Sequence, residues 1–133
     1  SSLAAEIYGL EVLATDIEDA DHNTTRMVVM ARDPIDPDPN KGPVVTSFVF
    51  RVRSVPAALS KAPGGFATNG VNITKLESYM IDGNFTVAQF YADIDGHPDQ
   101  RPVRLALEEL SSFCREVRIL GVYPANPFRA GQK

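Results

Sequence analysis

Two regions of this 133-residue chain combine side-chain types and backbone patterns that could do chemistry. The first is Asn23-Thr24-Thr25-Arg26-Met27. It sets a threonine hydroxyl, able to donate and accept a hydrogen bond, beside a guanidinium. A polar loop ahead of an apolar run is also ordinary cap or turn chemistry. The second region pairs the turn Val55-Pro56-Ala57-Ala58-Leu59 with Asn72-Ile73-Thr74-Lys75-Leu76-Glu77-Ser78. Free N–H groups where a strand turns into a helix hold a carboxylate with the help of the helix dipole, and alanines there let a ligand approach the backbone. The Asn72 amide offers both a donor and an acceptor to the polar end of an amino acid. Each feature has a plain reading as well, because every such turn exposes N–H groups and Asn near Gly is common turn chemistry.

The remaining reactive residue types suggest structure rather than chemistry. His22 and His97 stand far apart, without ligand-like spacing to another His, Cys or carboxylate, so no metal site is expected and His97 reads as a loop residue. Cys114 falls on the apolar face of a helical pattern and reads as packing. The acidic run from Asp16 to Asp21 lacks the pattern of a calcium loop and reads as a solvated loop.

The elements that must position these residues follow from hydrophobic periodicity. Residues 1–9 read as a helix with Leu3, Ala4, Ile7 and Tyr8 on one face and Gly9 as its stop. Glu11 to Ile17 and Met27 to Ala31 read as short strands. One helix and two strands cannot enclose a core, so residues 1–33 are expected to be the end of a larger lobe. Residues 34–43 hold Pro34, Pro37, Pro39 and Pro43 and read as a linker, since proline fixes φ and removes donors. Residues 44–124 then read as a complete domain, and 125–133 as a tail.

Within that domain Val44 to Val52 alternates as a half-buried strand, with Phe48, Phe50 and Val52 on one face and Ser47, Arg51 and Arg53 on the other. Residues 57–69 read as one long helix kinked at Pro63-Gly64-Gly65, where an interior proline costs about 3 kcal/mol, in preference to a short helix with Pro63 near its first turn. Val71 to Met80 and Phe85 to Ile94 read as strands joined through Asp82-Gly83-Asn84. Asp99 to Cys114 reads as a helix burying Val103, Ala106, Leu107, Leu110 and Phe113, and Glu116 to Tyr123 as the last strand. Strand, helix, two strands, helix, strand predicts an α+β, ferredoxin-like sandwich with both helices on one face of an antiparallel sheet.

The two chemical regions also resemble one family. Ala57-Ala58-Leu59-Ser60 stands where the ACT regulatory domain of prephenate dehydratase reads G-A-L-V, and Glu77-Ser78-Tyr79-Met80 where it reads E-S-R-P. Thr25-Arg26-Met27 resembles the Thr-Arg-Phe signature at the end of that family's catalytic domain. Phe90 to Pro98 is similar to its third strand and following loop. The resemblance implies a metal-free, cofactor-free dehydration and decarboxylation of prephenate to phenylpyruvate in phenylalanine biosynthesis, inhibited by L-phenylalanine. It implies that Thr25 is the catalytic hydroxyl and Arg26 its neighbour in the site. It implies that Pro56, Ala57, Ala58, Leu59, Asn72, Leu76, Glu77 and Ser78 bind L-phenylalanine as an allosteric effector, and that the protein is a dimer or tetramer. Without the rest of its catalytic lobes the chain alone is expected to be inactive.

Composition agrees with this and narrows the rivals. A net charge of −4 with scattered Lys and Arg argues against a nucleic-acid partner. The single cysteine fits a reducing compartment, and no apolar run is long enough to span a bilayer, so a cytoplasmic protein without a membrane partner is expected. The alternatives are an ACT-type amino-acid-binding module of another metabolic enzyme or transporter, and a ferredoxin-like nucleic-acid reader.

Overall fold

A computed structural model describes residues 2–20, 25–53, 58–81 and 84–131. The chain divides into two compact units, Ser1–Ala31 and Arg32–Lys133. In the first, α1 (Ser2–Tyr8) closes on Gly9 as expected. Gly9 takes φ +62, its N–H reaches Glu6 O at 3.5 Å, and the N–H of Leu10 reaches Ala5 O at 2.9 Å. Only a residue at ease with positive φ can turn the chain back onto those last carbonyls. The strands expected over residues 11–17 and 27–31 do not form. An apolar run becomes a strand only when a neighbour takes its N–H and C=O groups, and no described residue of this unit does so. Val29 is accordingly 99% exposed.

In the second unit β1 (Val44–Val52), β2 (Ile73–Ile81), β3 (Asn84–Asp95) and β4 (Cys114–Pro124) form one antiparallel sheet in the order β2-β3-β1-β4. This is the α+β ferredoxin-like arrangement expected of an ACT domain. The turn at Asp82-Gly83 lies outside the described residues, but Ile81 and Asn84 pair across it. The second helix, α4 (Arg101–Phe113), begins behind an extended Gln100, with Pro102 in the first turn, where its missing N–H costs nothing. It buries Val103, Ala106 and Leu110, one face at three- and four-residue spacing. The backbone turns extended at Cys114, so that residue opens β4 opposite Val52 instead of ending the helix.

The expected long helix over 57–69 is not kinked but broken. It forms two pieces, α2 (Ala58–Lys61) and α3 (Gly64–Thr68), with Ala62-Pro63 as the turn between them. Pro63 has no N–H to continue the first piece, yet its carbonyl accepts the N–H of Phe66 at 3.1 Å and starts the second. Gly65 lets α3 lie against α4, since a Cβ there would fall 2.9 Å from Glu109 Cβ. Gly70 then repeats the Gly9 device. It takes φ +67, donates to Ala67 O at 3.2 Å, and is followed by Val71 N–H on Phe66 O at 2.8 Å.

The core lies between the sheet and these helices. Phe66 stacks on Phe48 with centroids 5.8 Å apart, Phe48 meets Phe50 at 5.8 Å, and Phe50 stacks on Phe90 at 5.2 Å. Each such pair contributes about 0.5–1.5 kcal/mol beyond the area it buries. β1 alternates in chemistry but not in burial, contrary to the half-buried strand expected. Residues 44–50 are all buried, because β1 runs between β3 and β4 with side chains over both of its faces. On the face away from the helices Ser47 Oγ donates to Asp93 Oδ1 at 2.5 Å, accepts from Tyr91 OH at 3.2 Å, and is bonded to Tyr123 OH at 2.8 Å. Asp93 is 0% exposed. No helix among the described residues is long and apolar enough to cross a membrane.

Ser47→Ala removes the one hydroxyl that Asp93 and both tyrosines share. We predict a loss of about 1–3 kcal/mol of stability, the cost of leaving a buried polar group short of a bond. A urea midpoint equal to that of the parent chain would contradict this role.

Candidate functional site

The candidate residues are carried by β2 and by the residues that introduce it. Gly70 ends α3, and Asn72 follows it, exposed, one residue ahead of β2. The backbone there is tied to the end of β3, with the Asp95 N–H on Asn72 O at 3.0 Å. The Asn72 side chain does the same, donating from Nδ2 to Asp95 Oδ2 at 3.0 Å. A carboxylate can only accept, so this contact sets which end of the amide faces Asp95.

Along β2 the two-residue period separates residues that the sequence motif lists together. Leu76 pairs with Ala92 and Ser78 with Phe90, which places them on the face that carries the core. Being on an edge strand they are still exposed, Leu76 by 47% and the neighbouring Met80 by 60%. Glu77 pairs with Tyr91 and lies on the opposite face. There it accepts from Tyr79 OH at 2.5 Å and bridges Lys75 Nζ at 3.0 Å. The Tyr79 hydroxyl first, and then Lys75, hold its carboxyl below the usual range, while Glu77 in turn raises the Tyr79 phenol. Glu77 therefore cannot share one pocket of its own chain with Leu76 and Ser78, because adjacent strand residues point apart. Lys75 also lies over the Tyr91 ring, 5.1 Å from its centroid, and Arg51 sits 3.4 Å from Glu116. These pairings neutralise cations that a nucleic-acid reader would present to phosphate.

Pro56 and Ala57 lie outside the described residues, as do the side chains of Ala58 and Leu59. So do His22, Asn23 and Thr24.

Two groups at this end of the sheet escaped the sequence reading. Arg129, in the 3₁₀ turn Pro127–Gly131 of the tail, donates from Nη2 to Thr74 Oγ1 at 2.8 Å and lies 3.9 Å from Asp95 Oδ1. Nothing in the spacing of a tail arginine marks a partner 55 residues back. His97 is the other: it is a loop residue, as expected, but a buried and bonded one. It is 4% exposed, with Nδ1 accepting the Asp99 N–H at 3.1 Å and Nε2 donating to Asp36 Oδ1 at 2.9 Å. The bond to the backbone N–H requires the proton on Nε2. The proline-rich segment is thus fastened to the rest of the second unit through Asp36. Cys114 behaves as expected of a packed thiol, since burial pushes it up to about 11 against the weaker opposing pull of Arg53.

Comparison with known proteins puts this geometry in context. The family model described as prephenate dehydratase matches residues 1–35. A bifunctional N-acyl-homoserine lactone acylase/prephenate dehydratase from Komagataeibacter europaeus is 53% identical over 130 residues, covering 97% of this chain and 46% of that protein. The chain belongs to the prephenate dehydratase family. Among solved structures, a quorum-quenching acylase matches with 49% identity and a TM-score of 0.65, over 75% of this chain and 50% of that one. Prephenate dehydratase from Arthrobacter aurescens in complex with L-Phe matches with 26% identity and a TM-score of 0.58, over 70% of this chain and 30% of that one. This chain therefore spans about half or less of the length of these relatives. The part matched by the family model includes Thr25 and Arg26, both exposed and in no regular element.

Proposed function

We propose that residues 44–124 are the regulatory domain of a prephenate dehydratase and bind L-phenylalanine as allosteric effector. The enzyme as a whole would convert prephenate to phenylpyruvate with loss of water and CO2, in the cytoplasm. The observation that carries this reading is the likeness to the A. aurescens prephenate dehydratase in complex with L-Phe. In this reading residues 1–33 belong to the catalytic domain, Thr25 supplies the hydroxyl at the leaving oxygen of prephenate, and Arg26 steadies the site.

The effector would lie between the Pro56 to Ser60 turn of one chain and the Asn72 to Ser78 strand of a neighbour. Backbone N–H groups of the turn would hold its carboxylate, the Asn72 amide its polar end, and Leu59 with Leu76 its ring. Glu77 would act from the other face by bracing Lys75 and Tyr79. Two sheet edges, β2 and β4, are left for a second copy. Leu76 and Met80 on β2, and Ile119 and Leu120 on β4, are exposed apolar side chains at those edges, which favours association. An ACT-type module of another amino-acid enzyme is the alternative reading, and ligand preference separates the two.

Three outcomes test this. Ring burial favours phenylalanine over alanine by roughly 2 kcal/mol, and an unpartnered tyrosine hydroxyl costs about 1–3 kcal/mol. Calorimetry should therefore rank L-phenylalanine above tyrosine and alanine, and Asn72→Ala should weaken it. No heat from phenylalanine at millimolar concentration would sink the reading. Light scattering at high concentration should give at least a dimer mass, and a monomer would refute the shared site. The chain alone should form no phenylpyruvate above background, because orientation by an opposing lobe supplies much of any rate. In the longer enzyme Thr25→Ala should remove most of the rate, and near-normal turnover would rule out its role.

A further inference from the structure

The geometry points to Asp95 and Arg129 as positioning residues of the amino-acid site. Asp95 turns the Asn72 amide so that its carbonyl oxygen faces the ligand's ammonium, and the C-terminal turn delivers Arg129 to hold Asp95 in place. The inference rests on the reading that an amino acid binds at Asn72, and it adds which groups set the polarity of that residue.

The Asn72 side chain could present either of two opposite chemistries. Its nitrogen would recognise a carboxylate, and its oxygen an ammonium. Asp95 decides between them. Its Oδ2 takes the Asn72 Nδ2 hydrogen at 3.0 Å, and a carboxylate has no hydrogen to offer in exchange. One of the two amide hydrogens is thus committed to Asp95, and this turns the carbonyl oxygen away from the carboxylate and leaves it to accept. Asp95 also places a negative charge one residue contact away from where an ammonium would sit, which favours the same polarity.

Asp95 is itself bracketed. Arg129 lies 3.9 Å from Asp95 Oδ1 and donates to Thr74 Oγ1 at 2.8 Å. The topology makes this contact unusual. β4 and β2 are opposite edges of the sheet, so the five residues after Pro124 must carry Arg129 back across the sheet end, over about three strand spacings, or roughly 14 Å. The path is fixed at each step. The Ala125 N–H donates to Pro43 O at 2.8 Å, and Asn126 accepts the N–H of Phe128 at its side chain and of Arg129 at its backbone, both at 3.0 Å. At 3.9 Å, with both side chains partly exposed, Arg129 and Asp95 attract each other only weakly. Arg129 therefore acts by holding Asp95 and Thr74 in position more than by cancelling charge.

The test compares L-phenylalanine with 3-phenylpropanoate, which keeps the ring and carboxylate and lacks the ammonium. Calorimetry on the full 133-residue chain is the measurement. Asp95→Asn keeps the shape but lets the two amides pair in either sense. It should weaken L-phenylalanine about tenfold and leave 3-phenylpropanoate unchanged. Arg129→Ala should weaken L-phenylalanine about threefold with an unaltered thermal midpoint, and Arg129→Lys should restore most of it. Wild-type affinity in Asp95→Asn, or an equal loss for both ligands, would overturn the inference while leaving the binding reading intact. A wild-type chain that takes up no L-phenylalanine would overturn the binding reading itself, and this inference with it.

Discussion

The run of packed rings Phe66, Phe48, Phe50 and Phe90 is the contact on which the second unit depends. It links a short helix, the middle strand β1 and its neighbour β3 in one apolar path. α3 has only five residues, too few to be stable alone, and Phe66 is its one large buried side chain. Its place is held by ring packing and by the close approach to α4 that Gly65 permits. Because α3 is held, its end at Gly70 is held too, and the chain enters β2 through Asn72 in a set direction.

The opposite face of the sheet is closed by different physics. Ser47 and Asp93 are buried there beside Val45 and Val49. Hydrogen bonding joins apolar packing there, with the Ser47 hydroxyl as the shared member for Asp93, Tyr91 and Tyr123. The result is a sheet sealed on both faces in its middle, with apolar surface left at its edges. Any partner that completes the domain meets those edges.

One end of the sheet gathers Asn72, Asp95, His97 and Arg129 for a topological reason. β1 starts, β3 ends and β2 begins at that end, so Gly96 N–H reaches Val44 O at 2.7 Å while Asp95 reaches Asn72. The proline-rich segment enters there through Asp36 and His97, and the tail returns there through Arg129. Segments from residue 36 to residue 129 thus meet around one short stretch of backbone.

Local patterns determined much of this protein. The apolar spacing of Val103, Ala106 and Leu110, the glycine stop at Gly9, and the strand runs of β1, β2 and β3 were legible because each depends on near neighbours in the chain. The order of those elements was enough for the ferredoxin-like arrangement, and the motif residues Thr25-Arg26 and Asn72 to Ser78 were enough for the family. Tertiary structure alone decided the rest. It broke the helix at Pro63, since the choice between a kink and a break depends on what Phe66 can pack against. It left residues 11–17 and 27–31 without a sheet, since a strand needs a partner that no local pattern reveals. It buried both faces of β1, set Glu77 on the far side from Leu76, and brought Asp95, Arg129 and His97 to partners as far as 61 residues away. Such contacts depend on strand order and register, which local propensity does not encode.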